Sequence, residues 1–158
     1  MMPPLRTRQA VRALVLDDDD CVLLVRVAFP SWTGWIAPGG GVARSECDEA
    51  ALRRELLEET GLATFELGPL VWTRRHDLRT EGWDDQVERY FLVRTPRFEP
   101  APALAWKDLN DEYVRDLRWW TLDEVEVSRD SFAPRRLGAL LRSLLENGPP
   151  KEPLAVGV

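Results

Sequence analysis

The chain has 158 residues, 44% hydrophobic and 30% charged, which is an ordinary composition for a globular protein with one core. Its 27 acidic and 21 basic side chains leave a net charge of −6, which argues against binding to extended nucleic acid. Two cysteines, Cys21 and Cys47, provide neither a disulfide framework nor metal-ligand spacing. There is no signal-peptide core and no apolar run long enough to span a bilayer, so we expect a cytoplasmic protein without membrane contact.

The first half of the chain predicts strands followed by one helix. Residues 1–8 are polar and contain prolines, so a flexible N-terminus is expected. Apolar and β-branched runs predict three strands, at residues 9–16, 21–28 and 32–37. A helix is then predicted to begin at Glu46, with Ser45 as its N-cap, and to end at Thr60. Gly61 is the residue type that forms a left-handed C-cap.

The second half of the chain predicts further strands and two helices. In order these are a broken strand at 65–75, a hairpin tip at 81–85, a strand at 87–94, a long loop at 96–111, a strand at 117–121, a short helix after Thr121 and a helix at 135–146. Residues 148–158 are expected to form a C-terminal tail, which leaves residues 9–147 as a single domain. This order favours an α/β fold, with a mixed sheet covered by helices on both faces.

The predicted helix at 46–60 carries an unusual concentration of acid. Glu55, Glu58 and Glu59 stand at i, i+3 and i+4, which places their carboxylates on one face. Such close charges repel one another unless a cation compensates them, and Mg²⁺ prefers carboxylate and phosphate oxygens. A solvated acidic surface is the ordinary alternative for a glutamate-rich helix. The sequence Pro-Gly-Gly-Gly at 38–41 exposes backbone directly before the helix, and this favours a metal and phosphate site.

Residues Gly40 to Leu62 resemble the complete signature of the Nudix hydrolases. Gly40 is followed by five residues, Glu46, seven residues and then Arg-Glu-Leu-Leu-Glu-Glu-Thr-Gly-Leu, which matches the family pattern G-x5-E-x7-R-E-U-x-E-E-x-G-U, where U is a bulky aliphatic residue. One departure is Ala43, where many members carry a further glutamate, and this leaves one auxiliary contact open. The resemblance implies an α/β/α sandwich with a mixed sheet.

The resemblance also implies an activity and a metal site. Nudix hydrolases typically cleave the pyrophosphate of a nucleoside diphosphate linked to another group, using Mg²⁺ or Mn²⁺. Glu58 and Glu59 match the family's principal metal ligands. Glu55 matches a position that completes the metal shell or acts as the general base, and the carbonyl of Gly39 matches a frequent further ligand. A side-chain-free residue would suit that carbonyl's approach to the metal.

The remaining catalytic roles are less determined by the signature. Arg54 matches a residue expected to orient the glutamates, and Glu46 matches a structural residue linked to Arg54. The general base of Nudix enzymes often lies outside the signature, and Glu112 is the first candidate here. Asp111 and Glu88 are runners-up, and for Glu88 a solvent-facing position at a strand edge is equally favoured.

Substrate contacts are predicted from local positive charge. Arg74, Arg75, His76 and Arg79 form a cationic cluster that suits phosphate groups, although ordinary surface charge explains it equally well. Arg26, expected just past the second strand, is a further candidate for the cleft. The substrate is expected to be a small nucleoside diphosphate derivative, and the sequence does not determine which one.

Two functions other than hydrolysis occur on the same fold. A Nudix-fold sensor would bind a nucleotide or nucleotide sugar without cleaving it, but such modules commonly lose signature glutamates, and all of them are present here. Diphosphate isomerisation on the same fold uses a histidine-rich metal site, and His76 is the single histidine. The sequence leaves the oligomeric state open, with a homodimer as one candidate assembly.

Overall fold

The strands of the computed structural model, which describes residues 1–80 and 82–158, join one mixed β-sheet. They are β1 (Thr7–Leu16), β2 (Val22–Phe29), β3 (Trp32–Ile36), β4 (Gly39–Gly41), β5 (Leu70–Thr80), β6 (Trp83–Arg94), β7 (Val114–Trp120), β8 (Phe132–Ala133) and β9 (Leu154–Val156). The helices are α1 (Asp48–Thr60), α2 (Trp106–Asp111), α3 (Leu122–Val127) and α4 (Leu137–Asn147).

Strand β1 lies at the centre of the sheet. The strand order is β8-β3-β2-β1-β6-β5-β9, while β4 pairs with β1 and β7 pairs with β2. β1 runs antiparallel to β2 and parallel to β6. The predicted acidic turn joins β1 to β2, and Asp17 Oδ1 accepts hydrogen bonds from the backbone amides of Asp19 (2.9 Å) and Cys21 (2.8 Å). β1 therefore brings β2, β4 and β6 together.

Helices cover both faces of the sheet, as the sequence predicts. Leu52 and Leu56 of α1 are buried against one face, in a cluster with Val11 of β1. Leu137 and Leu141 of α4 are buried against the other face, in a second cluster. This is the expected α/β/α arrangement with a mixed sheet. Within residues 1–80 and 82–158, none of the helices is long and apolar enough to cross a membrane.

Both ends of the chain contribute more to the sheet than the sequence suggests. Thr7 and Arg8, expected in a flexible N-terminus, extend β1, and the Thr7 hydroxyl donates to Asp85 Oδ1 at 2.6 Å. Leu154–Val156, expected in a tail, form β9 in parallel pairing with β5. Val156 is buried in the core. Those two expectations are wrong because the pairing partners lie far away in sequence.

Three other segments differ from the prediction. The expected loop at 96–111 contains helix α2, whose Leu109 is fully buried. The expected hairpin tip at 81–85 is shorter, because Trp83 already begins β6, and Glu81 lies outside the described residues. The broken strand predicted at 65–75 begins only at Leu70.

Candidate functional site

Strand β4 places the three glycines next to the N-terminal half of β1. Gly39 pairs with Arg12 and Gly40 pairs with Val11. A Cβ on Gly39 would lie 2.0 Å from the carbonyl oxygen of Val11, and the φ of Gly39 is 149°. Glycine is therefore required at position 39 by the close backbone contact with β1. The sequence analysis gave another reason for glycine at this position, namely the approach of its carbonyl to a metal.

Helix α1 begins later than predicted. Its first residue is Asp48 and its N-cap is Cys47, which makes no side-chain cap bond, so the prediction of Ser45 and Glu46 is wrong. Residues 43–46 form a turn instead, in which the Glu46 amide donates to the Ala43 carbonyl at 2.9 Å. The C-terminal prediction is confirmed, because Gly61 adopts a left-handed conformation with φ 82°.

The glutamates of α1 face the glycine strand. Glu59 is 5% exposed, and its Oε1 accepts a hydrogen bond from the Gly39 amide at 2.8 Å. Glu55 is also buried, and a Cβ on Gly40 would lie 2.6 Å from its carboxylate. Glu58, one turn from Glu55, has a side chain that is 29% exposed. The helix and β4 thus form a region rich in carboxylate oxygens, which we call the acidic cleft.

Arg54 is tied to the glutamates on both sides of this cleft. Its Nε and Nη2 donate to the two carboxylate oxygens of Glu46 at 2.9 and 2.8 Å, a bidentate pair. Its Nη1 donates to Glu55 Oε1 at 2.9 Å and lies 3.6 Å from Glu58 Oε2. Glu46 in turn accepts from the Ala43 amide at 2.9 Å. The predicted link between the loop and Arg54 through Glu46 is present.

The carboxylates of the cleft are only partly neutralised by nearby positive charge. Burial, together with the charge of Glu55, raises the pKa of Glu59 to about 8. Burial and the charge of Glu55 also raise the pKa of Glu58. Glu112, at the C-terminus of α2, has a raised pKa because of burial and the charges of Glu55 and Glu58. The charges of Glu55 and Glu58 therefore act on Glu112, although it lies 57 positions after Glu55 in the sequence.

This donor set fits a hard divalent cation. It consists of carboxylate oxygens and backbone carbonyls, which Mg²⁺ and Mn²⁺ prefer, and it holds excess negative charge in a partly buried place. In the described part of the chain, no three acidic, histidine or cysteine side chains stand close enough together to hold an ion as they are. Arg54 binds one oxygen of Glu55, and the Gly39 amide binds one oxygen of Glu59.

The predicted cationic cluster does not exist as one unit. Arg74 is buried and donates to Glu88 at 2.5 Å, whereas Arg75 has a side chain 63% exposed and pairs with Asp85 at 2.9 Å. Alternate residues of a strand point to opposite faces of the sheet, and this separates the two arginines. Arg79 is 83% exposed at the side chain. The prediction of a joint phosphate site on these residues is therefore wrong for Arg74.

Arg26 lies within β2, not past its end as expected, and it is exposed. The predicted strand at 21–28 already included this residue, and β2 ends one residue later, at Phe29. Asp111 is the exposed last residue of α2, next to Glu112.

Glu88 is the clearest correction among the candidate bases. The residue is 3% exposed and lies on β6, which is flanked by β1 and β5, so it is neither at an edge nor facing solvent. Burial alone would raise the pKa of Glu88, but the charges of Arg12 and Arg74 and a hydrogen bond from His76 hold it well below its usual range. A carboxylate so strongly stabilised in its charged form is a poor proton acceptor.

Arg12 is the buried residue that sequence reasoning missed. It lies in the middle of β1, and its Nε donates to Glu88 Oε2 at 2.6 Å. The position of Arg12 inside the apolar run 10–16 was the available signal, because a buried charge needs a partner. The partner, 76 residues away, could not be read from the sequence.

Comparison with known proteins identifies the family of the chain. The model of the NUDIX domain matches residues 6–141. Nucleoside triphosphatase NudI of Salmonella newport (strain SL254) is 34% identical over 143 residues, which cover 86% of this chain and 97% of that protein.

Solved structures share the fold. The MutT protein of Methanosarcina mazei Go1 superposes with a TM-score of 0.71 at 19% identity, covering 93% of this chain and 99% of that chain. The MutT NUDIX hydrolase of Burkholderia pseudomallei superposes with a TM-score of 0.65 at 25% identity, covering 87% and 97% of the two chains. The signature helix, the acidic cleft and these matches together show that the chain belongs to the Nudix family of hydrolases.

Proposed function

We propose that this hydrolase cleaves the pyrophosphate linkage of a small nucleoside diphosphate derivative, with nucleoside triphosphates as the first substrates to test, and that it requires Mg²⁺. The observation that carries the proposal is the proximity of Glu55, Glu58, Glu59 and Glu112 beside a glycine strand, with Arg54 next to Glu55 and Glu58 and with Arg12 as the cation that acts on Glu59. The name of the relative NudI, a nucleoside triphosphatase, supports the choice of substrate class.

Glu58 and Glu59 are the principal ligands in this proposal, and Glu55 and the carbonyl of Gly39 are the additional ones. A bound Mg²⁺ supplies neutralisation of the diphosphate charge and a lowered pKa of the attacking water. Glu59 is held in place by the Gly39 amide before any cation binds. Mn²⁺ is expected to substitute, since it accepts the same oxygen ligands.

Glu112 is proposed as the general base. Its carboxylate faces Glu55 and Glu58, and its raised pKa moves it toward the operating pH, where a base transfers protons most effectively. Glu55 is the alternative base, because it lies on the same side of the cleft. Asp111 and Glu112 are both exposed at the end of α2, and Asp111 is placed second because Glu112 is the residue on which the charges of Glu55 and Glu58 act.

Arg54 is proposed to orient the glutamates. It bridges Glu46 to Glu55 and Glu58, so movement of the arginine changes the direction of both carboxylates. Because Glu46 binds Arg54 through two parallel hydrogen bonds, the guanidinium is fixed in one plane.

The exposed arginines are proposed as contacts for the substrate's phosphates. Arg26, Arg75 and Arg79 are exposed on β2 and β5. A guanidinium binds phosphate through two hydrogen bonds, which gives orientation as well as affinity. Arg74 is left out of this group because it is buried against Glu88.

The test is a hydrolysis assay on a panel of nucleoside triphosphates, nucleotide sugars and dinucleoside polyphosphates with Mg²⁺, Mn²⁺ or EDTA. Release of phosphate, pyrophosphate and nucleoside monophosphate identifies the bond that is cleaved. Turnover of at least one compound with Mg²⁺ and none in EDTA is the expected result. A sensor protein would instead bind a nucleotide in calorimetry without turning over any compound of the panel.

A further inference from the structure

A second charged cluster lies behind the acidic cleft, on three neighbouring strands. Glu88 of β6 accepts a hydrogen bond from Arg12 of β1 at 2.6 Å and from Arg74 of β5 at 2.5 Å. His76 Nε2 lies 3.3 Å from the same carboxylate. The side chains of Arg12, Arg74 and Glu88 are 10%, 9% and 4% exposed. We call these four residues the Glu88 cluster.

Stability alone gives a weak reason for the Glu88 cluster. Buried ion pairs often stabilise a fold no more than apolar residues of similar size, because desolvation of the charges offsets their attraction. Here two guanidiniums surround one carboxylate, and Nε of Arg74 is buried without a hydrogen-bond partner in the described part of the chain. Because burial of these charges costs free energy, we expect the cluster to have a role that apolar residues could not fulfil.

The contacts of Arg12 connect the Glu88 cluster to the cleft. Its Nη1 donates to the carbonyl of Ala37 at 3.4 Å. Its backbone pairs with Gly39, and the amide of the next residue, Ala13, donates to the carbonyl of Pro38 at 2.9 Å. Arg12 therefore touches both ends of the segment 37–39.

Side-chain packing in the core holds that segment at Ala37, which is buried. Gly39 has no side chain, and Pro38 has no amide to donate. The Gly39 amide is used by Glu59, so any shift of the segment moves a predicted ligand carboxylate as well as the Gly39 carbonyl. Precise placement of this backbone thus depends on β1, and the side chain of Arg12 is fixed in turn by Glu88.

We infer that Arg12 and Glu88 are positioning residues for the metal site, which hold segment 37–39 so that the Gly39 carbonyl and the Glu59 carboxylate face one cation. Glu88 acts through Arg12 and does not contact the substrate. Arg74 steadies Glu88 from the opposite side and makes no contact with the segment. The inference rests on the proposed function in one respect, namely that Gly39 and Glu59 hold a divalent cation.

The experiment measures metal binding apart from catalysis. Titration calorimetry with Mg²⁺ and Mn²⁺, in the absence of nucleotide, is applied to the wild type, Glu88→Gln, Arg12→Lys and Arg74→Lys. Loss of a residue that orients metal ligands typically weakens metal binding about 10- to 100-fold. We expect at least about a tenfold higher dissociation constant for Glu88→Gln and Arg12→Lys, and a smaller change for Arg74→Lys.

Kinetics supply a second reading. At saturating metal, the KM for the nucleotide is expected to stay within about twofold of the wild type in Glu88→Gln, because the residue acts on the metal ligands and not on the substrate. The KM for Mg²⁺ is expected to rise in parallel with the calorimetric constant. If a substitution only disturbed the fold, it would lower the fraction of active protein. The KM for Mg²⁺ would then not rise while the KM for the nucleotide stayed constant.

Arg89→Lys is the matched control. Arg89 neighbours Glu88 on β6 and forms a comparable ion pair with Asp48 at 2.6 Å, but it points to the opposite face of the sheet. We expect its metal affinity to stay within about twofold of the wild type, as for a substitution without contact to the segment. Thermal unfolding of every variant is measured first. If Glu88→Gln does not fold, Arg12→Lys, which keeps the positive charge, tests the inference in its place.

The outcomes separate the inference from the proposed function. If the wild type binds neither Mg²⁺ nor Mn²⁺, the proposed metal site is wrong and the inference is overturned with it. If the wild type binds metal and the folded variants bind it equally well, the inference alone is overturned. A raised KM for the nucleotide with unchanged metal affinity also overturns it, because the Glu88 cluster would then contact the substrate.

Discussion

The acidic cleft, on α1 and β4, and the Glu88 cluster, on β1, β5 and β6, are charged sites of opposite balance. In the cleft, Glu55 and Glu58 share Arg54, whose other side is bound to Glu46. In the Glu88 cluster, one carboxylate is surrounded by two guanidiniums and an imidazole. The pKa of Glu59 is raised to about 8, chiefly by burial, while that of Glu88 is held well below its usual range by Arg12, Arg74 and His76 despite its burial.

The contrast teaches that burial does not by itself decide what a glutamate does. Glu59 and Glu88 are 5% and 3% exposed, so they lose nearly the same contact with water. What differs is the charge placed around them. A carboxylate with too little positive charge around it is stabilised when a cation is added. A carboxylate with excess positive charge around it holds the surrounding side chains in place through its ion pairs.

The largest expected effect concerns the base of the cleft. If Glu112 takes the proton of the attacking water, Glu112→Gln should lower kcat by about 10²- to 10⁴-fold with little change in metal affinity. The acidic limb of the pH profile should disappear, because the group whose deprotonation activates the reaction is gone. The measurement is kcat against pH with Mg²⁺ titrated at each point.

Two further variants sharpen this result. Asp111→Asn is the matched control, since Asp111 directly precedes Glu112 and is exposed. If Glu55 is the base, Glu55→Gln will lose the acidic limb, and Glu112→Gln will mainly change metal binding or KM. An unchanged acidic limb in Glu112→Gln rules out the assignment of Glu112.

The second effect is on turnover through the metal ligands. Glu58→Gln and Glu59→Gln should each lower kcat by about 10²-fold or more, as for loss of a principal electrostatic stabiliser, while the protein stays folded. Steady-state kinetics at saturating nucleotide and a circular dichroism spectrum test both parts. Near wild-type turnover in both variants would refute their role as ligands.

The third effect is on the free energy of unfolding, whose pH dependence should have opposite signs for Glu59 and Glu88. The folded-state pKa of Glu59, about 8, lies above its ordinary value of 4.5, so its stabilising contribution is present below pH 4.5 and lost as the pH rises through about 8. In EDTA, Glu59→Gln should therefore be more stable than the wild type at pH 8 to 9, by at least the roughly 1.4 kcal/mol of one pKa unit. This advantage should vanish toward pH 5.

The opposite sign applies to Glu88. Its pKa is depressed, so its contribution is present above the ordinary value of 4.5 and lost as the pH falls through the lower folded-state pKa. Urea unfolding from pH 2 to 9, with and without Mg²⁺, measures both contributions. Mg²⁺ should stabilise the wild type most at high pH, and a Glu59→Gln variant that is less stable than the wild type in EDTA at pH 9 contradicts the account.

The smallest effect is expected at the exposed arginines. Arg26→Ala should raise the KM for the nucleotide by about three- to tenfold with kcat nearly unchanged, as for loss of one exposed charge-assisted hydrogen bond to a phosphate. Arg44→Ala, another exposed arginine, is the control. Equal KM values for wild type and Arg26→Ala remove Arg26 from the proposed substrate contacts.

Much of the site was predictable because its parts are local in sequence. Glu55, Glu58 and Glu59 share a face by the periodicity of a helix, and Gly61 ends that helix by its own conformational freedom. The position of Glu112 was less secure, since it depends on α2, a helix in a segment predicted to be a loop. The fold class followed from the order of elements, although strand β9 was missed because Leu154–Val156 form a strand only through pairing with β5.

The sequence by itself determined the family, the acidic helix and the alternation of strands and helices, since each depends on residues close together in the chain. Only the tertiary structure decided the fate of Glu88 and Arg12, whose contact joins strands 76 residues apart. It also decided that Arg74 is buried while Arg75 is exposed. The physical reason is that the charge state and role of a buried side chain are set by its neighbours in space, and in a sheet those neighbours come from distant strands.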